Sequence, residues 1–360
     1  MSLSIGIVGL SNVGKSTLFN ALLKQQVALA ANYPFATIDP NVGVAEVPDS
    51  RLAKLAEVVH TAVIKPALVE FVDIAGLVKG ASAGAGLGNK FLANIRETSA
   101  ICHVLRAFAD ADIIREGSVD PVEDLNTVRT ELQLADLDTL QKQKEVKGKA
   151  TPLEKQRWQA VQQLLQKISL GKPVAFGDLS EEEQLVAKEL CLLSIKPELI
   201  ALNVAESDLS QAKTLAQEWS KKLNLPPTQI VIISAKVESE LSSLAAEDQA
   251  LFMSDLGVTE SGLERLAAVA YVTLGLRSFL TAGEKEVRAW TIKAGQTAVE
   301  AAGVIHTDFS QKFIKAHVAN YEVFLACHGW NGVREQGKLR QEGRDYIMQD
   351  GDVVEFMIGK

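Results

Sequence analysis

The run Gly9-Leu-Ser-Asn-Val-Gly14-Lys15-Ser16-Thr17 carries the spacing G-x-x-x-x-G-K-S, which is the chemistry of a phosphate cradle. Its glycines let the backbone turn tightly and aim N–H groups at phosphate oxygens. Lys15 is expected to reach the β- and γ-phosphates and the Ser16 hydroxyl to ligate Mg²⁺. Asn12, Val13, Gly14 and Thr17 complete the predicted nucleotide-binding run. Asn12 has two readings: a side-chain oxygen that coordinates K⁺ beside the phosphates, or a residue chosen for its turn conformation.

Asp73-Ile-Ala-Gly76, at the end of an apolar run, is the expected partner of the cradle. The Asp73 carboxylate would hold Mg²⁺ through water, and the Gly76 N–H would meet the γ-phosphate. Thr37, in Asn32-Tyr-Pro-Phe-Ala-Thr-Ile38, is a candidate to complete the Mg²⁺ shell; the alternative is a turn threonine after Pro34. Leu77 stands where many GTP hydrolases place a glutamine, so another group must orient the attacking water, or intrinsic turnover is slow.

Base choice is expected at Asn203-Val-Ala-Glu206. Guanine-specific proteins place N-K-x-D there, and here Val204 replaces the lysine while Glu206 is one methylene too long for the aspartate's position. Asn203 is left to pair with an adenine amino group and N7. Ser234-Ala235-Lys236 follows the next apolar run and would contact the base edge through backbone N–H groups.

These residues need a sheet to position them. Leu3–Val8 reads as a buried strand and Lys15–Leu23 as the helix that lends its N-terminus to the anion site. Further strands are predicted at 67–72, 101–108, 199–203 and 229–234, with a helix at 210–223 and helical text at 262–279. Between 121 and 193 helical spacing takes over, with stripes through Leu125, Val128, Leu132, Ala135 and Leu140, then Trp158, Val161, Leu164, Leu165 and Ile168. This predicts an inserted antiparallel helical pair whose tip carries Lys142, Lys144, Lys147 and Lys149. After 278 the composition shifts toward a small mixed domain with strands at 287–292 and 353–358. The expected organisation is a discontinuous α/β P-loop domain (1–120 and 195–277), a helical insertion (121–194) and a C-terminal domain (278–360).

A chain of 360 residues exceeds one ordinary domain. Its net charge of −8 argues against a protein that coats nucleic acid nonspecifically, though not against a local basic patch. Three scattered cysteines, none in a C-x-x-C pair, favour a reduced cytoplasmic setting over a zinc site. No apolar run reaches membrane-spanning length, and the chain is expected to be monomeric. His103 reads as a core histidine, Asp350-Gly-Asp352 as a tight turn, and His306 with Asp308 as helix-bracing residues.

Together, GLSNVGKST, NYPFATIDPN, DIAGLVKGAS and NVAE resemble the YchF/Obg-like ATPases, a branch of the Obg-related P-loop proteins. The C-terminal RAWTI, IHTDF and EGRDYIMQDGDVVEF are similar to that family's TGS domain, a ubiquitin-like β-grasp module. The resemblance implies Mg²⁺-dependent ATP binding in preference to GTP, a hydrophobic residue in place of the catalytic glutamine, K⁺ stimulation, and association with ribosomes, the large subunit being one candidate. It points to RNA contacts through the lysine tip and the TGS module. Relatives usually carry proline where Ser11 stands. Many also carry a histidine, assigned a catalytic role, where this chain has Arg115. Two other readings stay open: a true GTPase of the Obg type, and a binding module that nucleotide gates with negligible hydrolysis.

Overall fold

The computed structural model describes residues 3–30, 41–74, 87–108, 120–145, 148 and 150–359. Among them twelve strands form two sheets. They are β1 (Ser4–Val8), β2 (Val42–Glu46), β3 (Ile64–Lys65), β4 (Leu68–Asp73), β5 (Ala100–Arg106), β6 (Glu198–Asn203), β7 (Ile230–Ile233), β8 (Leu276–Ala282), β9 (Val287–Lys293), β10 (Phe313–Asn320), β11 (Arg340–Glu342) and β12 (Asp352–Ile358). The chain divides into two compact units, Met1–Ala45 with Glu70–Thr273, and Glu46–Val69 with Leu274–Lys360.

The first sheet runs β2-β4-β1-β5-β6-β7. Its central strands are parallel: β1 lies between β4 and β5, and β6 between β5 and β7. β1, β5 and β7 are buried along their whole length, as the apolar runs require for strands covered on both faces. Parallel strands bring their C-terminal ends to one edge, so Val8, Asp73, Arg106, Asn203 and Ile233 all end where a doubly wound fold binds ligands.

The helical region departs from a simple inserted pair. The helix Pro121–Gln141, capped by Asp120, sends Val128, Leu132 and Ala135 into a cluster with Val8, Ile95 and Ile101. It is therefore a packing layer of the sheet as well as one arm of the hairpin. Only its far end, at Leu140, joins Val161, Leu164 and Ile168 of the helix Pro152–Ser169 and Val186 of a third helix, Glu181–Glu189. Capping boxes at Thr151/Glu154 and Ser180/Glu183 start the last two helices.

In the second unit the sheet order is β11-β10-β12-β8-β9-β3, and the helix Ala298–Ile305 packs Ala298, Ala301 and Ala302 against Phe279, Ile292 and Val318. The result is a β-grasp core. The helical text at 262–279 ends sooner than its periodicity suggested. The helix stops at Thr273, Gly275 takes a left-handed φ of 67°, and β8 begins at Leu276. Residues 46–69, grouped by sequence with 1–120, cluster here instead. The helix Ser50–Val59 is fixed by Arg51, which bonds Asp49 at 2.8 Å and Asp350 at 2.7 Å. The N–H of Val287 donates to Val63 at 2.9 Å. Asp350-Gly-Asp352 is a turn: Gly351 has φ 79°, and Asp350 accepts from the N–H of Ser278 at 2.9 Å. The imidazole Nδ1 of His306 accepts from the N–H of Asp308 at 3.1 Å and so caps a short helix.

Candidate nucleotide site

The cradle is a turn between β1 and the helix Lys15–Ala30. Asn12 has φ 61° and Gly14 φ 100°, left-handed backbone that most side chains resist. The left-handed backbone at Asn12 alone accounts for an asparagine there. Gly14 is fixed a second way: a Cβ on it would collide with the Asn203 amide nitrogen. The helix that follows has no acidic residue in its first turn, which leaves its positive end open to an anion.

Lys15 is buried, 8% exposed, and its ammonium donates to the carbonyl of Leu10 at 2.7 Å. Burial pushes its pKa down, and the charge of Asp73 partly restores it. Asp73, at the end of β4, is pushed up by burial and drawn back by Lys15. Ser16 and Thr17 are exposed at the cavity wall. A serine hydroxyl and a carboxylate are hard oxygen donors, and two such ligands plus phosphate oxygens suit Mg²⁺. The residues present fit that ion. Thr37, Gly76, Leu77 and Arg115 lie outside the described residues, as do Lys147 and Lys149.

From the cradle a cavity of about 750 Å³ extends along the sheet edge to residues 203–206 and 234–240. Such a volume accommodates a nucleotide. Asn203 lies in its wall, and its side chain braces the cradle. The amide nitrogen donates to the Val13 carbonyl at 2.9 Å, and the amide oxygen accepts from the Ala235 N–H at 3.0 Å. With 4% exposure, it ties the cradle to the loop after β7. Val204 is 3% exposed and packs with Leu202, Leu209 and Ile232, so it contributes core where a lysine would lie along a base. Ser234 and Ala235 are buried at the start of the helix Ala235–Leu241, and Lys236 is exposed. The Lys236 ammonium stands 3.9 Å from a Glu206 carboxylate oxygen.

Phe108, Ser239 and Glu240 also line the cavity, and the motif spacing did not single them out. Phe108 ends an apolar run and so reads as core. Its ring is held by Arg106, whose guanidinium stacks on it at 4.5 Å while Nε donates to the Phe108 carbonyl at 3.2 Å. Ser239 and Glu240 lie three and four residues past Lys236, and helical period from that residue would have found them. His103 is buried elsewhere, 3.1 Å from Glu198, which Arg129 also engages. Lys142 follows the end of its helix and pairs with Asp138 at 2.5 Å, and Lys144 is exposed close by.

A parallel α/β sheet with this cradle defines a P-loop nucleoside triphosphate-binding protein. A family model described as "50S ribosome-binding GTPase" matches residues 4–147, and the YchF GTPase C-terminal model, described as "Protein of unknown function (DUF933)", matches residues 276–359. The chain is 46% identical over 369 residues to the ribosome-binding ATPase YchF of Bacillus subtilis, covering 99% of each. It is 47% identical over 366 residues to the protein of that name from Haemophilus influenzae, again covering 99% of each. A solved Schizosaccharomyces pombe YchF GTPase superposes with a TM-score of 0.85 at 35% identity, covering 99% of this chain and 97% of that one. The chain belongs to the YchF family. None of its described helices is long and apolar enough to cross a membrane.

Proposed function

We propose that this chain is a Mg²⁺-dependent P-loop ATPase switch that accepts ATP at least as well as GTP, hydrolyses it slowly and associates with ribosomes. The observation that carries the base preference is the chemistry at the far end of the cavity. Val204 is turned into the core, and the carboxylate of Glu206 faces Lys236, so the grip that rejects adenine lacks both of its parts. Phe108 offers a face on which either purine can stack. The relatives' names, an ATPase in two bacteria and a GTPase in yeast, leave base choice to that chemistry.

Bound Mg²⁺ would neutralise charge on the terminal phosphates. Ser16 and Asp73 would hold it, with Thr37 as a further candidate. Lys15 would exchange its carbonyl partner at Leu10 for phosphate oxygens, and the N–H groups of 13–17 would orient the chain of phosphates. Asn12 would place its side-chain oxygen on K⁺ beside them, and Gly76 its N–H on the γ-phosphate.

Calorimetric titration of nucleotide-free protein with ATP, GTP and both diphosphates tests the reading. ATP is expected to bind at least as tightly as GTP, and Glu206→Asp to move the balance toward GTP. GTP binding more than tenfold tighter in the wild type would make the chain a GTPase of the Obg type. Turnover by the same preparation should be slow and faster in K⁺ than in Na⁺. Equal rates remove the role given to Asn12, and no measurable turnover leaves a nucleotide-gated binding module.

The ribosome is the partner borne in the names of the bacterial relatives. For this chain Lys142 and Lys144, which follow the helix Pro121–Gln141, together with Lys147 and Lys149 next in the sequence, offer an RNA-phosphate contact, and the β-grasp unit a second. Replacing all four lysines by glutamate should reduce co-sedimentation with ribosomes several-fold at moderate salt and flatten its salt dependence. Equal pelleting of variant and wild type would rule out the tip. Truncation after Thr281 is a poor companion test, since it cuts β8 and strips the helix Ser50–Val59 of the sheet it packs on.

A further inference from the structure

We infer that Lys236 is a specificity-determining residue of the base pocket, acting by occupying the carboxylate of Glu206. The inference rests on the nucleotide reading given above and assigns the cause of its base preference. β6 and β7 are parallel neighbours, so the turns that follow them emerge side by side. Glu206 opens the turn Glu206–Gln211, and Lys236 is the second residue of the helix Ala235–Leu241. Both line the cavity at the end remote from the cradle, and the ammonium and carboxylate are 3.9 Å apart. Glu240 lies one helical turn beyond Lys236 and also lines the cavity. Among the described residues lining the cavity, Lys15 and Lys236 are the two cations, and Lys15 belongs to the phosphate end.

Guanine presents two adjacent N–H donors, N1–H and the 2-amino group, and an unengaged carboxylate on that wall attracts them even where its length denies it the aspartate's paired fit. Adenine presents there only the N1 acceptor and a C–H, and the same carboxylate repels it. An ammonium on Glu206 alters both terms in one direction. It competes with the guanine donors for the carboxylate oxygens, and it cancels the charge that adenine N1 would otherwise face. Lys236 thereby favours ATP over GTP without touching either base's distinguishing groups. It is a positioning residue, and its effect must appear in the ratio of affinities and vanish when Glu206 carries no charge.

The pair is solvent-accessible, with side-chain exposures of 73% for Lys236 and 43% for Glu206, so the effect is modest. Exposed pairs of this kind correspond to about a two- to fivefold change in an equilibrium. The test is a double-mutant cycle on the full chain, with ATP and GTP affinities measured by calorimetry for wild type, Lys236→Met, Glu206→Gln and the double variant. Lys236→Met should move the ATP:GTP affinity ratio toward GTP by about two- to fivefold. In the Glu206→Gln background the same substitution should leave the ratio unchanged. A melting curve confirms that each variant is folded. Equal weakening of both nucleotides by Lys236→Met would overturn the inference, because it shows a general charge effect. A shift that persists without the Glu206 charge overturns it too. A wild type that binds neither nucleotide, or prefers GTP more than tenfold, instead breaks the functional reading beneath it.

Discussion

Replacing Lys15 by alanine is expected to weaken ATP and GTP binding together by roughly a hundredfold or more while leaving the fold intact. A charge-assisted hydrogen bond contributes about 1.5–3 kcal/mol, and Lys15 is placed to make at least two with a triphosphate. Tenfold in affinity is about 1.4 kcal/mol, so two lost bonds account for that factor. Stability should change little because two effects oppose each other. The variant loses the bond to Leu10, but it also loses an ammonium that burial already disfavours. Calorimetry and a thermal melt check both halves. Near-normal ATP affinity would show that the cradle does not bind phosphate.

Asn203→Ala should cost stability and nucleotide affinity at once, without changing base preference. The amide satisfies the Val13 carbonyl and the Ala235 N–H, and its loss strands both in a buried wall. An unsatisfied buried backbone group costs about 1–3 kcal/mol, so a loss of roughly 2–4 kcal/mol is expected. The cradle would also lose the tie that holds it to the loop after β7, so both nucleotides should weaken by a similar factor. The measurements are a denaturant titration and paired ATP and GTP affinities. An unchanged midpoint with a tenfold selective loss of ATP would return Asn203 to the base-pairing role that its place in the motif suggests.

The contrast between these two residues shows where sequence reading ends. Lys15 was legible because its placement depends on local geometry: a strand, a six-residue turn and a helix, all within one stretch of chain. The same locality made Asn12, Gly14, Ser16 and the strand ending at Asp73 readable, and the parallel sheet followed from apolar runs separated by helices. Residues such as Asn203 and Val204 were found by motif, yet their work depends on what stands opposite them. Asn203 meets a residue 190 positions earlier in the chain, and Val204 meets the core that closes over it.

Three further features could be decided only by tertiary packing. Phe108 lines the cavity because Arg106 turns and holds its ring, whereas its sequence neighbourhood reads as an ordinary strand end. The segment 46–69 clusters with the C-terminal unit through Arg51 and Asp350, residues 299 apart, a separation no local pattern registers. The helix Pro121–Gln141 serves two cores because its apolar stripe is long enough to face the sheet first and the hairpin later; periodicity reports the stripe but not its partners. The sequence by itself determined the phosphate chemistry and the alternation of strands and helices, since both are encoded in short-range spacing. The far end of the cavity, the bracing amide and the clustering of residues 46–69 with the C-terminal unit were decided by the tertiary structure, which alone brings distant segments within hydrogen-bonding and van der Waals reach.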